Sequence, residues 1–264
     1  LPENKYLFEL IKKESERFCN FLNYEQSVSS FKPVYEEKYF GNGDGFKPIY
    51  IDVDGEKYYI SGFVDRIDVC DDNFRIIDYK TGNTTNASGM EHLFYGTKIQ
   101  LFVYAKAIEN NLNKNLFGAF YLPIKNSFSK DGTLYQLSGF FEDSVSMVIK
   151  CDKNFGLDNP KSNLINVTLA KPKDDGELNL RKKQNILTKE NLNCCMEYAI
   201  EIVKQSIKDI KEGFIGCSPI GGTCGNCEFN KLCSSAFDES LERDENYNVN
   251  KEKFMEIDYG KRAN

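Results

Sequence analysis

The stretch GFVDRIDVCDDNFRIIDYKT, residues 62–81, decides the fold. Two runs rich in Ile, Val, Phe and Tyr flank Asp71-Asp72-Asn73, which is the composition of two strands joined by a tight turn. With Asp71-Asp72 as a two-residue loop, Phe63 faces Lys80, Asp65 faces Asp78, Ile67 faces Ile76 and Val69 faces Phe74. Side chains alternate along a strand, so these eight share one face of a sheet. Five of them are large and apolar; the other three are Asp65, Asp78 and Lys80.

Carboxylates directly across a strand pair have Cβ atoms roughly 5 Å apart and repel each other. An apolar face adds the cost of desolvating them. A divalent cation held between them removes both problems, and oxygen donors suit Mg²⁺ or Mn²⁺. Lys80 lies two residues from Asp78, so its ammonium reaches the same site and would orient a water on the metal or stabilise charge developing on a phosphoryl group. Gln100 and Tyr104, at i and i+4 of the following helix, add a polar edge. The competing reading is a partly exposed hairpin with a Lys–Asp ion pair, because a three-residue loop would shift the register.

Outward from the hairpin, the runs from residue 47 to 82 read as a three-stranded antiparallel meander. Residues 4–23 place Leu7, Leu10, Ile11, Phe18, Phe21 and Leu22 at helical spacing, and 97–110 do the same with Leu101, Tyr104, Ala105 and Ile108. Residues 118–124 and 135–142 read as strands, and the weakly periodic 151–187 as an insertion. A long helix over 188–212 carries the stripe Leu192, Met196, Ala199, Val203, Ile207 and Ile210, with Thr188 as N-cap and Gly213 as stop. The expected fold is α/β of the α+β kind: a mixed central sheet with an antiparallel meander, flanked by helices. One domain spans 1–237, with a core at about 30–125, an insertion at about 143–187, the helix 188–212 and a cysteine segment 217–233; 238–264 is a polar tail. Gly41-Asn42-Gly43-Asp44-Gly45 lacks the following helix that a phosphate-binding glycine motif needs.

Of the 264 residues 41% are hydrophobic, and no apolar run approaches the length of a membrane span. Lys and Arg total 34 against 40 Asp and Glu, a net charge of −6, so any grip on phosphate is local. Nine cysteines cannot all pair within the chain, which points to reduced thiols and a cytoplasmic protein. The chain opens on Leu1-Pro2 and not on Met, so it is expected to be part of a longer protein.

GFVDRID at 62–68, IIDYKTG at 76–82 and QLFVY at 100–104 resemble motifs of the RecB-type PD-(D/E)XK nucleases. CGNCEFNKLC at 224–233 is similar to the iron–sulfur branch of that group, and YEEKYFG at 35–41, GAFYLPI at 118–124 and Pro219 also resemble the nuclease domain of the B subunit of AddAB-type helicase/deoxyribonucleases. The resemblance implies a restriction-endonuclease-like core. It also implies a Mg²⁺- or Mn²⁺-dependent exonuclease that acts on single-stranded DNA ends in break repair and recombination, partnered by a helicase subunit. Asp65, Asp78 and the carbonyl of Tyr79 would bind metal, Lys80 would be the catalytic lysine, and Gln100 and Tyr104 would line the site; Glu37 matches a family position of less defined role. Cys224, Cys227 and Cys233 would hold a 4Fe–4S cluster whose fourth thiolate lies upstream of Leu1, with Cys217 or Cys19 as substitutes and zinc as the alternative ion. The single histidine, His92, does not match the family's metal-site histidine. Lys171, Lys173, Arg181, Lys182 and Lys183 would grip phosphate or simply form a solvated surface. Two other readings stand beside the exonuclease: a non-catalytic DNA-end-binding or assembly module, and a CRISPR-associated RecB-type exonuclease.

Overall fold

The structure is a computed structural model that describes residues 2–81, 89–124, 135–171, 176–214, 219 and 223–233. Lys173, Cys217 and the tail 238–264 lie outside the described residues. Helix α1 (Pro2–Val28) is followed by β1 (Lys32–Phe40), β2 (Ile49–Val53), β3 (Glu56–Ile60), β4 (Gly62–Cys70) and β5 (Asn73–Lys80). Then come α2 (Met90–Phe94), α3 (Gln100–Leu112), β6 (Asn115–Pro123), β7 (Ser138–Glu142), α4 (Val145–Cys151), β8 (Ile186–Leu187) and α5 (Lys189–Lys211). One six-stranded sheet runs β1-β4-β5-β6-β7-β8, and β2 and β3 form a separate hairpin sheet. The β5–β6 and β7–β8 pairs are parallel and the others antiparallel. A parallel pair needs a crossover, which α2 and α3 supply between β5 and β6.

The β4–β5 turn is the expected two-residue loop. Ile67 pairs with Ile76, Val69 with Phe74 and Cys70 with Asn73, and Asp71 takes the left-handed φ of 51° that a tight hairpin demands. The meander is corrected in its membership. The third antiparallel strand is β1, paired to β4 from Lys32↔Val69 to Phe40↔Gly62, and residues 49–60 fold back on themselves as β2–β3. Pairing across an intervening hairpin leaves no local trace in sequence. The segment read as an insertion is built into the domain: Phe155, Leu164, Ile165, Val167, Leu169 and Leu180 are buried, and its end forms β8.

Two apolar layers cover the sheet. On one face Ile67, Phe74, Ile76, Ala119 and Tyr121 meet Leu101, Phe102, Ala105 and Ile108 of α3 and Leu192, Met196 and Ala199 of α5. On the other, Ile77, Phe117, Phe120 and Leu122 meet Met147 and Val148 of α4 and Phe18, Phe21 and Leu22 of α1. Burying each such side chain contributes about 1.5–3 kcal/mol. The helical stripes overreach at their ends: Leu7, Leu10 and Ile11 are exposed, as is Ile210. Thr188 caps α5 by accepting from the Asn191 N–H at 3.2 Å.

A closed ionic network sits inside the second layer. Arg66 donates from Nε to Asp68 Oδ1 at 2.7 Å and from Nη2 to Glu25 Oε2 at 2.9 Å. Arg75 donates from Nε to Asp68 Oδ2 at 2.8 Å, from Nη1 to Cys151 Sγ at 2.9 Å, and also contacts Glu25. All four charged groups are at most 3% exposed. Burial alone would push the Arg66 guanidinium towards its neutral form, but Asp68 and then Glu25 outweigh it, and the net direction is up. Two cations and two anions close on each other, so removing one strands a buried charge. Glu25→Ala is therefore expected to destabilise the domain by about 3–5 kcal/mol, read as a lowered midpoint in urea unfolding at unchanged slope.

Candidate active site

The β4–β5 ladder stops at Arg66↔Ile77. Beyond it the strands part. β4 continues along β1 with Val64↔Lys38, Phe63↔Tyr39 and Gly62↔Phe40, while β5 continues along β6 with Asp78↔Tyr121, Tyr79↔Leu122 and Lys80↔Pro123. The expected Phe63–Lys80 and Asp65–Asp78 facings therefore fall in a fork and not in a ladder. At the fork the Tyr79 N–H has lost its strand partner, and Asp65 Oδ2 accepts it at 2.8 Å. A carboxylate thus satisfies the backbone donor that the divergence exposes.

Asp65 and Asp78 flank this fork, Asp65 half-buried and Asp78 only 4% exposed. Burial pushes the Asp78 carboxyl above the ordinary aspartate value; Lys80 opposes the shift and Asp65 adds to it. Lys80 Nζ lies 2.5 Å from Asp78 Oδ2, yet that oxygen is buried without an aligned hydrogen bond. Lys80 is in turn held. It donates to Gln100 Oε1 at 3.2 Å, and Gln100 Nε2 donates to Tyr104 Oη at 3.1 Å. Asp65, Asp78, Lys80, Gln100 and Tyr104 are thus brought together, two from β5, one from β4 and two from the first turns of α3.

Two contributors escaped the sequence reading. Tyr121 lies beside Asp78 on β6, and its ring sits 5.2 Å under Lys80 Nζ. Burial, then the Asp78 charge, pushes its hydroxyl up to about 12, so it stays protonated. Gly62 is the other: a Cβ there would press on Phe40 at 3.1 Å and on Tyr104 Cε1 at 3.2 Å, so glycine leaves the Tyr104 ring room beside the site. The run GAFYLPI carried Tyr121 in plain view, but nothing local marks which residue of a buried strand faces a carboxylate.

Other expected residues lie elsewhere. The Tyr79 side chain turns to the opposite layer, edge-on to Phe18 at 5.9 Å. Glu37 stands level with Asp65 on β1, between Glu36↔Arg66 and Lys38↔Val64, exposed and with a left-handed φ of 46°. His92 lies in α2, with Nδ1 3.2 Å from Thr97 Oγ1. Lys183 is tied to Asn166 by two bonds of 2.8 Å, on a segment packed against the face opposite the carboxylates. Cys224 lies in a short 3-10 turn, Thr223–Asn226, with Cys227 just after it and Cys233 at the end of the following turns. Among the described residues no three His, Cys, Asp or Glu side chains come together to hold a metal ion.

The carboxylate pair does suit a divalent cation. A buried carboxylate beside a second one carries more negative charge than the Lys80 ammonium alone offsets, which a divalent ion would balance. The same imbalance sets a test of stability. Because the folded-state pKa of Asp78 is raised, its ionised form costs stability; the cost is absent below the ordinary value of 3.8, grows as pH rises above it and is complete once pH passes the folded value. Asp78→Asn is expected to raise the melting temperature of the metal-free protein by a few degrees at neutral pH, the scale of about 1 kcal/mol. The gain should shrink as pH falls towards the ordinary aspartate range, which calorimetry in a chelator would record.

Comparison with known proteins agrees with this geometry. The profile of the PD-(D/E)XK nuclease superfamily matches residues 2–234. The chain is similar to the ATP-dependent helicase/deoxyribonuclease B subunit of Alkaliphilus metalliredigens, 26% identical over 281 residues that cover 96% of this chain and 23% of the relative. The protein of the same name from Clostridioides difficile is 24% identical over 280 residues, covering 96% and 24%. That of Caldanaerobacter subterraneus is 27% identical over 256 residues, covering 87% and 21%. The chain thus spans less than a quarter of the length of these relatives.

Proposed function

The chain belongs to the PD-(D/E)XK nuclease superfamily, and on that premise we propose that it is a divalent-metal-dependent deoxyribonuclease working as an exonuclease on single-stranded DNA ends. The observation that carries this reading is the buried Asp78 carboxylate, raised in pKa and facing Asp65 across the fork. The names of the relatives, which join a helicase and a deoxyribonuclease, support a place in a DNA-repair complex with a helicase subunit as partner.

Asp65 and Asp78 would hold Mg²⁺ or Mn²⁺, with the Tyr79 carbonyl as a further ligand. Such an ion, when bound, would polarise the scissile phosphodiester as a Lewis acid and offset the repulsion of the two carboxylates. Lys80 brings its ammonium to the non-bridging phosphate oxygens, where negative charge grows as water attacks. Gln100 and Tyr104 hold that ammonium in place, so little reorganisation is needed at the moment of reaction. The Tyr121 ring beneath it adds a cation–π contact. No step runs through Cys224, Cys227 or Cys233.

With Mg²⁺ and end-labelled single-stranded DNA, Asp78→Ala is expected to lower cleavage at least about a hundredfold without loss of the fold. Lys80→Arg should stay within about tenfold of Lys80→Ala, because a planar guanidinium does not reproduce the compact charge that Gln100 positions. Near-wild-type turnover by Lys80→Arg would reduce Lys80 to an ion-pair partner. Internal cuts in circular single strands at the same rate as in linear ones would remove the exonuclease assignment.

A further inference from the structure

Phe63 is anomalous. It lies in a strand of the main sheet, two residues from Asp65, yet it is 55% exposed. The fork explains this. Where β4 leaves β5, the face that carries Ile67 and Asp65 loses its neighbouring strand, and Phe63 is left uncovered. On its other side it is braced: Tyr39 is its register partner on β1, and the two rings lie 5.0 Å apart at 43°. Tyr39 itself lies against Gly41, where a Cβ would sit 2.1 Å from its hydroxyl. The bare Gly41 backbone leaves room for the Tyr39 ring, which packs against one side of Phe63.

We propose that Phe63, backed by Tyr39, is a platform on which an unpaired nucleobase stacks next to the phosphodiester held at Asp65 and Asp78. The inference rests on the nuclease reading and adds how the single strand is recognised. Three physical points support it. Two residues along a strand span roughly 6.8 Å, so the platform lies one step from the carboxylates. The neighbouring charges are mainly acidic, Asp65 beside it and exposed Glu36 and Glu37 on β1, against Lys38, whose ammonium lies over the Tyr35 and Phe46 rings. A phosphate is repelled there, whereas an uncharged base is not. An exposed aromatic face is also what an unpaired base prefers, and stacking of this kind accepts any base. A base inside a duplex has no free face to offer, so the platform selects unpaired ends.

The test compares a short single-stranded oligonucleotide with an abasic backbone of equal length, both measured by fluorescence anisotropy with Ca²⁺ in place of Mg²⁺. Wild-type protein is expected to bind the base-bearing strand about tenfold more tightly. Phe63→Ala should lose that preference while binding the abasic strand as before, and Phe63→Trp should keep it. A 2-aminopurine in the strand should be quenched by wild type and by Phe63→Trp, and not by Phe63→Ala. Retained preference in Phe63→Ala would overturn the platform, as would an equal loss in Tyr50→Ala, which removes an aromatic 62% exposed on the separate hairpin. If wild type cleaves DNA but binds both strands equally, the platform fails and the nuclease reading stands. If it neither cleaves nor binds, both fail.

Discussion

The buried exchange of charge between Glu25, Arg66, Asp68 and Arg75 is the constraint on which the remaining structure depends. It joins one helix to both strands of the hairpin, and it is closed to water. An arrangement of this kind contributes less to stability than to uniqueness, because every competing register leaves a buried ion unpaired. A slip of one residue between β4 and β5 would turn one strand over relative to the other, parting Arg75 from Arg66 and Asp68, and Asp78 from Asp65. The network on one side of the hairpin therefore holds the register that brings the carboxylates together on the other.

The fork is the second consequence of that anchoring. β5 is held between β4 and β6 along its first half, then follows β6 alone, while β4 follows β1. The opening lets two carboxylates approach each other without a continuous ladder between them, and the Tyr79 N–H that it frees is taken by Asp65. Asp78 is left short of positive charge, and Lys80, Gln100, Tyr104 and Tyr121 are arranged to supply part of it and hold it still. Stability is given up locally at Asp78 in a way that a bound divalent ion would restore, as expected where a site is built for a cation.

Much of this was legible in residues 62–81. The Asp71-Asp72 turn fixed the Ile67↔Ile76 and Val69↔Phe74 pairs, and three charges on an otherwise apolar face marked the site. The polar pair Gln100 and Tyr104 was visible from its i, i+4 spacing. What stayed hidden is non-local. Arg66, Asp68 and Arg75 read as ordinary polar positions of alternating strands, since their partner Glu25 lies about forty residues upstream in a helix with many other charges. The pairing of β1 with β4 skips a hairpin of similar composition, so the meander was assigned to the wrong neighbours. Leu7, Leu10 and Ile11 kept helical spacing past the point where α1 meets the sheet, which periodicity alone does not reveal.

The central claim is that the Asp65–Asp78 fork is a divalent-cation site. Mn²⁺ titration followed by electron paramagnetic resonance tests it without recourse to activity. The account predicts saturable binding to the wild-type chain, loss of that binding in Asp65→Asn, and no change in Glu37→Gln. Equal Mn²⁺ affinity in wild type and Asp65→Asn would contradict it.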